Sequence, residues 1–402
     1  MLSLPKYLLT LAAVFLALTL PLAAFNLCTD PFSVFSQLKA GPQPIQADTS
    51  TRMAKPYAMR VYRPDCLILG NSRAEVGYRA AELPGCQRPY NAAVANGHLY
   101  EARRHLQHAL ALGPVHQVLL ALDLETFTSP ELTAPGFSEP RLAVNAKDQM
   151  QLFPAGELVG LALGYDASHR SLLLRTQKRQ LAAISANGDR NPESLQAIAV
   201  MNSSRDLDQR MQEQFAFIGT LLMTGPAFDT HAGRGAGAMA EYQKILAICA
   251  ANKISLRVVI NPMHATLHDY LRHLGMQPAY LAWKHQLADT TAAAAASQDV
   301  QLWDFGKLNA LTTEKFELHQ TGSMMTGYLE PSHFRSVIGD RAMRQVYAGQ
   351  SSGVENFGER LTDASVGDDA GYLRAVAAWT AANPEIDAAV AKMAKKALSP
   401  QN

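Results

Sequence analysis

The stretch Asp65–Gly77, "DCLILGNSRAEVG", decides how the rest of the chain is read. Cys66 to Leu69 is a short continuous apolar run, the pattern of a strand buried on both faces. It stops at Gly70, and Asn71-Ser72-Arg73 opens a segment with helical character. A strand that turns at once into a helix is half of a parallel crossover unit, because parallel strands need crossovers.

Working outward, the same alternation continues. "RPYNAAV" from Arg88 is a second, weaker strand, and "EARRHLQHALALG" from Glu101 has helical periodicity and stops at Gly113. "HQVLLALDLETF" from His116 is a third strand. "MAEYQKILAICAANKI" from Met239 is a helix, and "SLRVVINPMH" from Ser255 a fourth strand. "YLAWKHQLADTTAAAAASQ" from Tyr280 is a helix, and "VQLWDFG" from Val300 a fifth strand. The expectation is a three-layer α/β/α domain over residues 65–350 with a doubly wound sheet of five parallel strands. Residues 128–238 break the rhythm and read as a helical insertion, either covering the carboxyl edge of the sheet or packing on the core. Residues 351–402 read as a terminal helical region, with helical spacing in "YLRAVAAWTAA" and "EIDAAVAKMAKKAL".

The amino terminus has a different physics. After Lys6 no charge occurs until Asp30, and Tyr7–Cys28 is predominantly apolar. About 20 such residues cross a bilayer as a helix. A cleaved signal peptide usually has a shorter apolar core, and "LPLAAF" is a poor cleavage site. The expectation is a signal anchor over residues 1–28 with Lys6 inside and the body exported. A proline-broken juxtamembrane linker over residues 29–64 follows.

Bulk properties exclude one class. Lys+Arg is 36 against Asp+Glu 35, a formal charge of +1. A nucleic-acid partner would call for clustered cations to neutralise phosphates, so none is expected. The basic "KMAKKAL" is explained by a solvated helix end. The four cysteines include no C-x-x-C pair, so zinc and redox motifs are not indicated. Cys66 and Cys86 open successive strands and are either a disulfide in an oxidising compartment or two buried thiols.

Sites in open α/β sheets form outside the carboxyl ends of strands. The polar residues there are Asn71, Ser72 and Arg73 after the first strand; Asn91 and the loop to Asn96-Gly97 after the second; and Asp123 and Glu125 after the third. Asn261 and His264 follow the fourth strand and Asp304 the fifth. "GYLEPSHFRSVIG" adds Glu330 and His333. A serine hydroxyl needs a base within reach, and the base needs an orienting acceptor. Ser72, His333 and Glu330 supply these roles, since a carboxylate three residues before a histidine can fold back on it. Taken singly, Ser72 reads as a helix cap. Arg73 either clamps an anion or pairs with a carboxylate. His264 either lines the pocket or is a loop histidine. "HATLH" has the i, i+4 spacing of His264 and His268, but without the glutamate of a zinc motif no metal is expected.

"LILGNSRAEVG", "YNAAVANG" and "LEPSHFR" together resemble the SGNH (GDSL-like) hydrolase superfamily, in particular its membrane-anchored bacterial branch. That branch includes exported proteins of polysaccharide O-acetylation and teichoic-acid D-alanylation. The resemblance implies a flavodoxin-like layered sheet, Ser72 as nucleophile, His333 as base and Glu330 in place of the triad aspartate. It implies oxyanion donors at the Ser72 N–H and at the N–H of Gly97 or Ala93, and no cofactor. Asn71 stands where the family has aspartate. Asp123 stands where the family has an asparagine donor. Either burial keeps Asp123 protonated, or it orients another group, or catalysis is weak. The implied activity is a serine esterase or O-acyltransferase of envelope or exported polysaccharide in the bacterial inner membrane, its domain in the periplasm or outside. A multi-spanning membrane acyltransferase would then be its partner. A non-catalytic SGNH-like scaffold in polysaccharide assembly is the alternative.

Overall fold

The computed structural model describes residues 3–39, 41–47, 50–129, 131–176, 181–202, 206–224, 236–320, 324–349, 353–355, 357–362 and 366–399. The chain opens with α1 (Leu4–Thr29), a 26-residue helix long and apolar enough to cross a membrane. α2 (Thr51–Tyr62) follows and leads into β1 (Cys66–Leu69), α3 (Ser72–Gly77), β2 (Pro89–Asn91), α4 (Leu99–Leu112) and β3 (Gln117–Leu122). A short α5 (Leu124–Thr128) precedes α6 (Ala155–Leu163), α7 (Tyr165–Thr176), α8 (Pro192–Asn202) and α9 (Leu207–Thr224). The alternation then resumes with α10 (Ala236–Ala251), β4 (Ser255–Ile260), α11 (Ala265–His273), α12 (Gln277–Ala295) and β5 (Val300–Asp304). A hairpin of β6 (Tyr328–Glu330) and β7 (His333–Phe334) comes before α13 (Ser336–Ala348), β8 (Glu359–Leu361), α14 (Asp369–Ala382) and α15 (Pro384–Leu398).

The main sheet has the order β2-β1-β3-β4-β5-β8. The first five strands are parallel, and β8 pairs antiparallel to β5 through Leu302–Leu361 and Asp304–Glu359. The sheet is therefore mixed and six-stranded, not the five parallel strands expected. The sixth strand comes from the region read as helical, over 351–402. It is three residues long and sits at an edge with Arg360 exposed, too short for its periodicity to register.

Alternation along the strands feeds two cores. Leu67, Leu69, Val118, Leu120 and Leu122 point to one, filled by α4, α10 and α12. Ile68, Leu119, Ala121 and Val259 point to the other, filled by α3 and α13. Burial on both sides explains why these strands read as unbroken apolar runs, each such side chain contributing about 1.5–3 kcal/mol.

The expected linker over 29–64 ends early. α2 buries Ala54, Tyr57 and Ala58, and Lys55 Nζ reaches Glu75 at 3.0 Å on α3. Pro56 within α2 made the segment look broken, yet its carbonyl accepts from His108 Nε2 of α4 at 2.9 Å. The chain order reverses at β1, between β2 on one side and β3 on the other. That switch point is where the polar loops of an α/β sheet converge.

Candidate active site

β1 ends at Gly70, whose φ of +152° is strained for a side-chain-bearing residue; an added Cβ would also lie 3.0 Å from the Ala121 carbonyl. The turn delivers Asn71 as the cap of α3, its Oδ1 accepting from Arg73 N at 3.0 Å. Ser72 is thus the first residue of α3, half-buried, and its N–H has no acceptor inside the helix. It is neighbour to the cap, not the cap itself.

The β6–β7 hairpin brings Glu330 and His333 opposite one another. His333 Nε2 lies 2.8 Å from Ser72 Oγ, and His333 Nδ1 contacts Glu330 Oε1. Ser332 completes the group: its N–H donates to Glu330 Oε2 at 2.8 Å and its Oγ to Glu330 Oε1 at 2.8 Å. Burial opposes a charge on Glu330, but His333 and the Ser332 hydrogen bonds outweigh it and hold the carboxyl below its usual pKa. An ionised Glu330 accepts a hydrogen bond from Nδ1–H, which leaves Nε2 as the acceptor for the serine hydroxyl. Ser72, His333 and Glu330, separated by up to 261 positions, therefore form one hydrogen-bonded line.

Comparison of the chain with family models, with curated proteins and with solved structures gives no match.

The line ends in a small, solvent-open cleft with a cavity volume of about 50 Å³. One wall holds Asn96 and His98 and the other Gln214, Phe217, Ile218 and Leu221 of α9. The insertion thus covers part of the carboxyl edge, and Arg210 of α9 donates to the Leu329 carbonyl at 3.0 Å on the hairpin. Sequence periodicity can find α9 but not the surface it lies on. His98 is buried, its Nε2 has no partner among the described residues, and burial followed by Arg52 lowers its pKa.

The other expected residues sort differently. Asp123 accepts from Asn71 Nδ2 and Asn261 Nδ2, each at 2.8 Å, and pairs with Arg73 at 2.5 Å. Of the three readings of Asp123, it is the orienting role that these contacts fit. Arg73 pairs further with Glu125 at 2.6 Å and donates to the Ser332 carbonyl at 2.7 Å. Burial pulls the Arg73 pKa down, and Asp123 and Glu125 more than offset it, so the guanidinium is held above its usual value. Arg73 is therefore occupied by carboxylates and does not present itself to an anion.

Of the expected backbone donors, the two alternatives opposite the Ser72 N–H are both occupied. The Ala93 N–H donates to Asn91 Oδ1 at 3.1 Å, and the Gly97 N–H to the Val94 carbonyl at 2.9 Å. Gly97 does line the cleft, and a Cβ there would sit 2.6 Å from the Gly70 carbonyl, so the two loops touch through bare backbone. Asn96, at φ +51°, also lines the cleft.

His264 lies outside the cleft. It is fully buried as the cap of α11, its Nε2 2.9 Å from the Glu314 carbonyl, and burial lowers its pKa to about 4. His268 turns instead to the Tyr372 hydroxyl at 3.0 Å, so the two do not form a ligand pair. Cys66 and Cys86 are disulfide-bonded, with Cα atoms 6.0 Å apart. Among the described residues one further cluster, Asp269, His273 and Asp387, has ligand spacing. Arg272 already lies within it, 2.8 Å from Asp269 and 2.5 Å from Asp387.

Proposed function

We propose that the chain is an exported, membrane-anchored serine esterase or O-acyltransferase of the SGNH kind, acting on acyl esters of envelope or exported polysaccharide. The reading rests chiefly on the 2.8 Å approach of His333 Nε2 to Ser72 Oγ, with Glu330 behind it and an open cleft in front. In this reading Ser72 Oγ attacks the ester carbonyl carbon while its proton passes to His333 Nε2. The carbonyl π electrons move to oxygen, and the oxyanion is met by the Ser72 N–H and the Asn96 amide. Collapse breaks the bond to the leaving alcohol, which takes the proton from His333. Water or a sugar hydroxyl then gives its proton to His333, attacks the acyl-serine, and Ser72 recovers its own. Phe217, Ile218 and Leu221 offer the acyl group an apolar wall.

The charge-free run of α1 supports placement in a bacterial inner membrane, with Lys6 on the cytoplasmic side and the domain outside. A multi-spanning acyltransferase would supply acyl groups if transfer is the reaction. The Cys66–Cys86 disulfide is in keeping with an oxidising compartment.

A fluorophosphonate probe on the purified full chain tests the chemistry. Wild type is expected to label and to release p-nitrophenol from p-nitrophenyl acetate, and Ser72→Ala to do neither. A wild-type chain that never labels yet retains polysaccharide would replace this reading with a scaffold role.

A further inference from the structure

The insertion has a second surface that the cleft does not use. α6 and α7 pack against α1. The stripe of α1 they accompany, Leu22, Ala23, Phe25, Asn26 and Thr29, is buried or half-buried, while α1 before Thr19 is exposed all round. Twenty residues counted from Tyr7 reach Asn26, about the length that spans a hydrocarbon core. The hairpin therefore lies alongside the last turns of the apolar run, at the level of the boundary between acyl chains and head groups.

Its composition suits that level. α6 carries a single charge, Glu157, and that charge is turned to the domain, accepting from Tyr57 at 2.6 Å and pairing with Arg141 at 2.6 Å. Most of the remaining surface is open and apolar: Leu152 is 93% exposed and Tyr165 81%, and Phe153, Val159, Leu172 and Leu173 are exposed as well, with the exposed Asp166 and His169 beside Tyr165 as polar exceptions. A helix apolar on nearly every side is stable when buried or in lipid, not when facing water. Several polar groups between the helices are paired within the protein, while Asn26 Oδ1 has no partner among the described residues. Asn26 Nδ2 donates to the Ala162 carbonyl at 2.9 Å and contacts Ser168 Oγ at 3.0 Å, and Thr29 Oγ1 meets Ser171 Oγ at 2.6 Å. Arg170 and Arg175 lie over Phe32 and Phe25, at 5.0 and 5.8 Å, as cations do at the rim of an apolar zone.

We infer that α6 and α7 form an interfacial hairpin that inserts its exposed apolar face into the outer leaflet of a lipid bilayer beside α1. The bilayer is the occupant because the face continues the lipid-facing surface of α1 and is edged by arginines that suit phosphate head groups. The domain is then docked at two points, not tethered by a free strap. The inference rests on reading α1 as a membrane span, and its test separates the two. The full chain is reconstituted in vesicles of phosphatidylethanolamine and phosphatidylglycerol, with and without brominated acyl chains. Added tryptophans report contact with lipid: Val159→Trp and Leu172→Trp on the hairpin, Leu11→Trp on α1, and Val337→Trp on exposed α13. The hairpin reporters are expected to lose emission in brominated lipid as Leu11→Trp does, while Val337→Trp keeps its emission. Hairpin reporters that behave like Val337→Trp while Leu11→Trp is quenched would overturn the inference and leave the anchor standing. Quenching on the hairpin without quenching at Leu11→Trp would remove the span and, with it, the docking beside α1 that the inference states. Quenching at neither would remove both.

Discussion

Two polar clusters lie side by side at the carboxyl edge of the sheet, and they differ in what they leave open. Around Asp123, the carboxylate accepts from two asparagines and pairs with Arg73, and Arg73 in turn holds Glu125 and the Ser332 carbonyl. That cluster spends its charges on its own members, although Asn71, Arg73 and Glu125 also border the cleft and Asn261 Oδ1 has no partner among the described residues. Around His333, the hydrogen bonds run in one direction, from Glu330 through the imidazole to Ser72 Oγ, and the last atom faces the cleft. A satisfied buried network rigidifies, whereas one ending at solvent has a group left to react. The first cluster also carries the second, since Arg73 joins α3, which bears Ser72, to the hairpin that bears His333.

The largest effect should come from the open cluster. Glu330→Gln keeps the shape but reverses the hydrogen-bond demand on Nδ1, and kcat for p-nitrophenyl acetate is expected to fall by about 10⁴-fold with little change in the unfolding midpoint. An unchanged kcat would break the comparison, because the line would then carry no chemistry.

The closed cluster should respond in stability. Arg73→Met leaves Asp123 and Glu125 buried with less compensation, at an expected cost of about 3–5 kcal/mol in denaturant unfolding. Activity of the folded fraction should fall as well, through the lost tie to Ser332. A variant as stable as wild type but unable to bind an anionic substrate would return Arg73 to the cleft.

Asn96→Ala sharpens the boundary between the clusters. Removal of one oxyanion donor costs about 10²–10³-fold in kcat elsewhere, and the same loss with KM unchanged is expected here. If kcat is untouched, the oxyanion is held by the Ser72 N–H without Asn96.

What could be read in advance follows from range. β1 and most of β3 announced themselves because burial on both faces makes a strand apolar throughout, and β4 did so over Val258–Ile260. Ser72 could be placed because crossover topology brings loops after parallel strands to one edge, whereas Glu330 and His333, which lie on a separate antiparallel hairpin, were gathered from their three-residue spacing and the family resemblance. The donors opposite Ser72 were out of reach, since whether an N–H is free depends on a turn. Asn91 Oδ1 takes that of Ala93, and the Val94 carbonyl that of Gly97. α2 was hidden for a related reason: Lys55 looks like a solvated residue until Glu75, twenty positions on, is placed beside it. β8 pairs across the sheet with a partner no local pattern specifies.

The smallest effect concerns His264, first grouped with the cleft and here assigned to the closed class. Burial lowers its pKa to about 4, and that of His105 also to about 4, while His108 and His268 are lowered to about 3. An unfolded histidine takes up a proton near pH 6.5. Between that pH and about 4, then, the unfolded chain binds more protons than the folded one, and stability falls as the solution is acidified. Each such histidine adds a slope of about 1.4 kcal/mol per pH unit within that window. His264→Gln removes one, so its unfolding free energy should vary less steeply with pH by about that amount, even if loss of the α11 cap lowers stability at every pH. Equal slopes in both proteins would mean that His264 is already charged in the fold, and it would then belong with the groups that meet solvent.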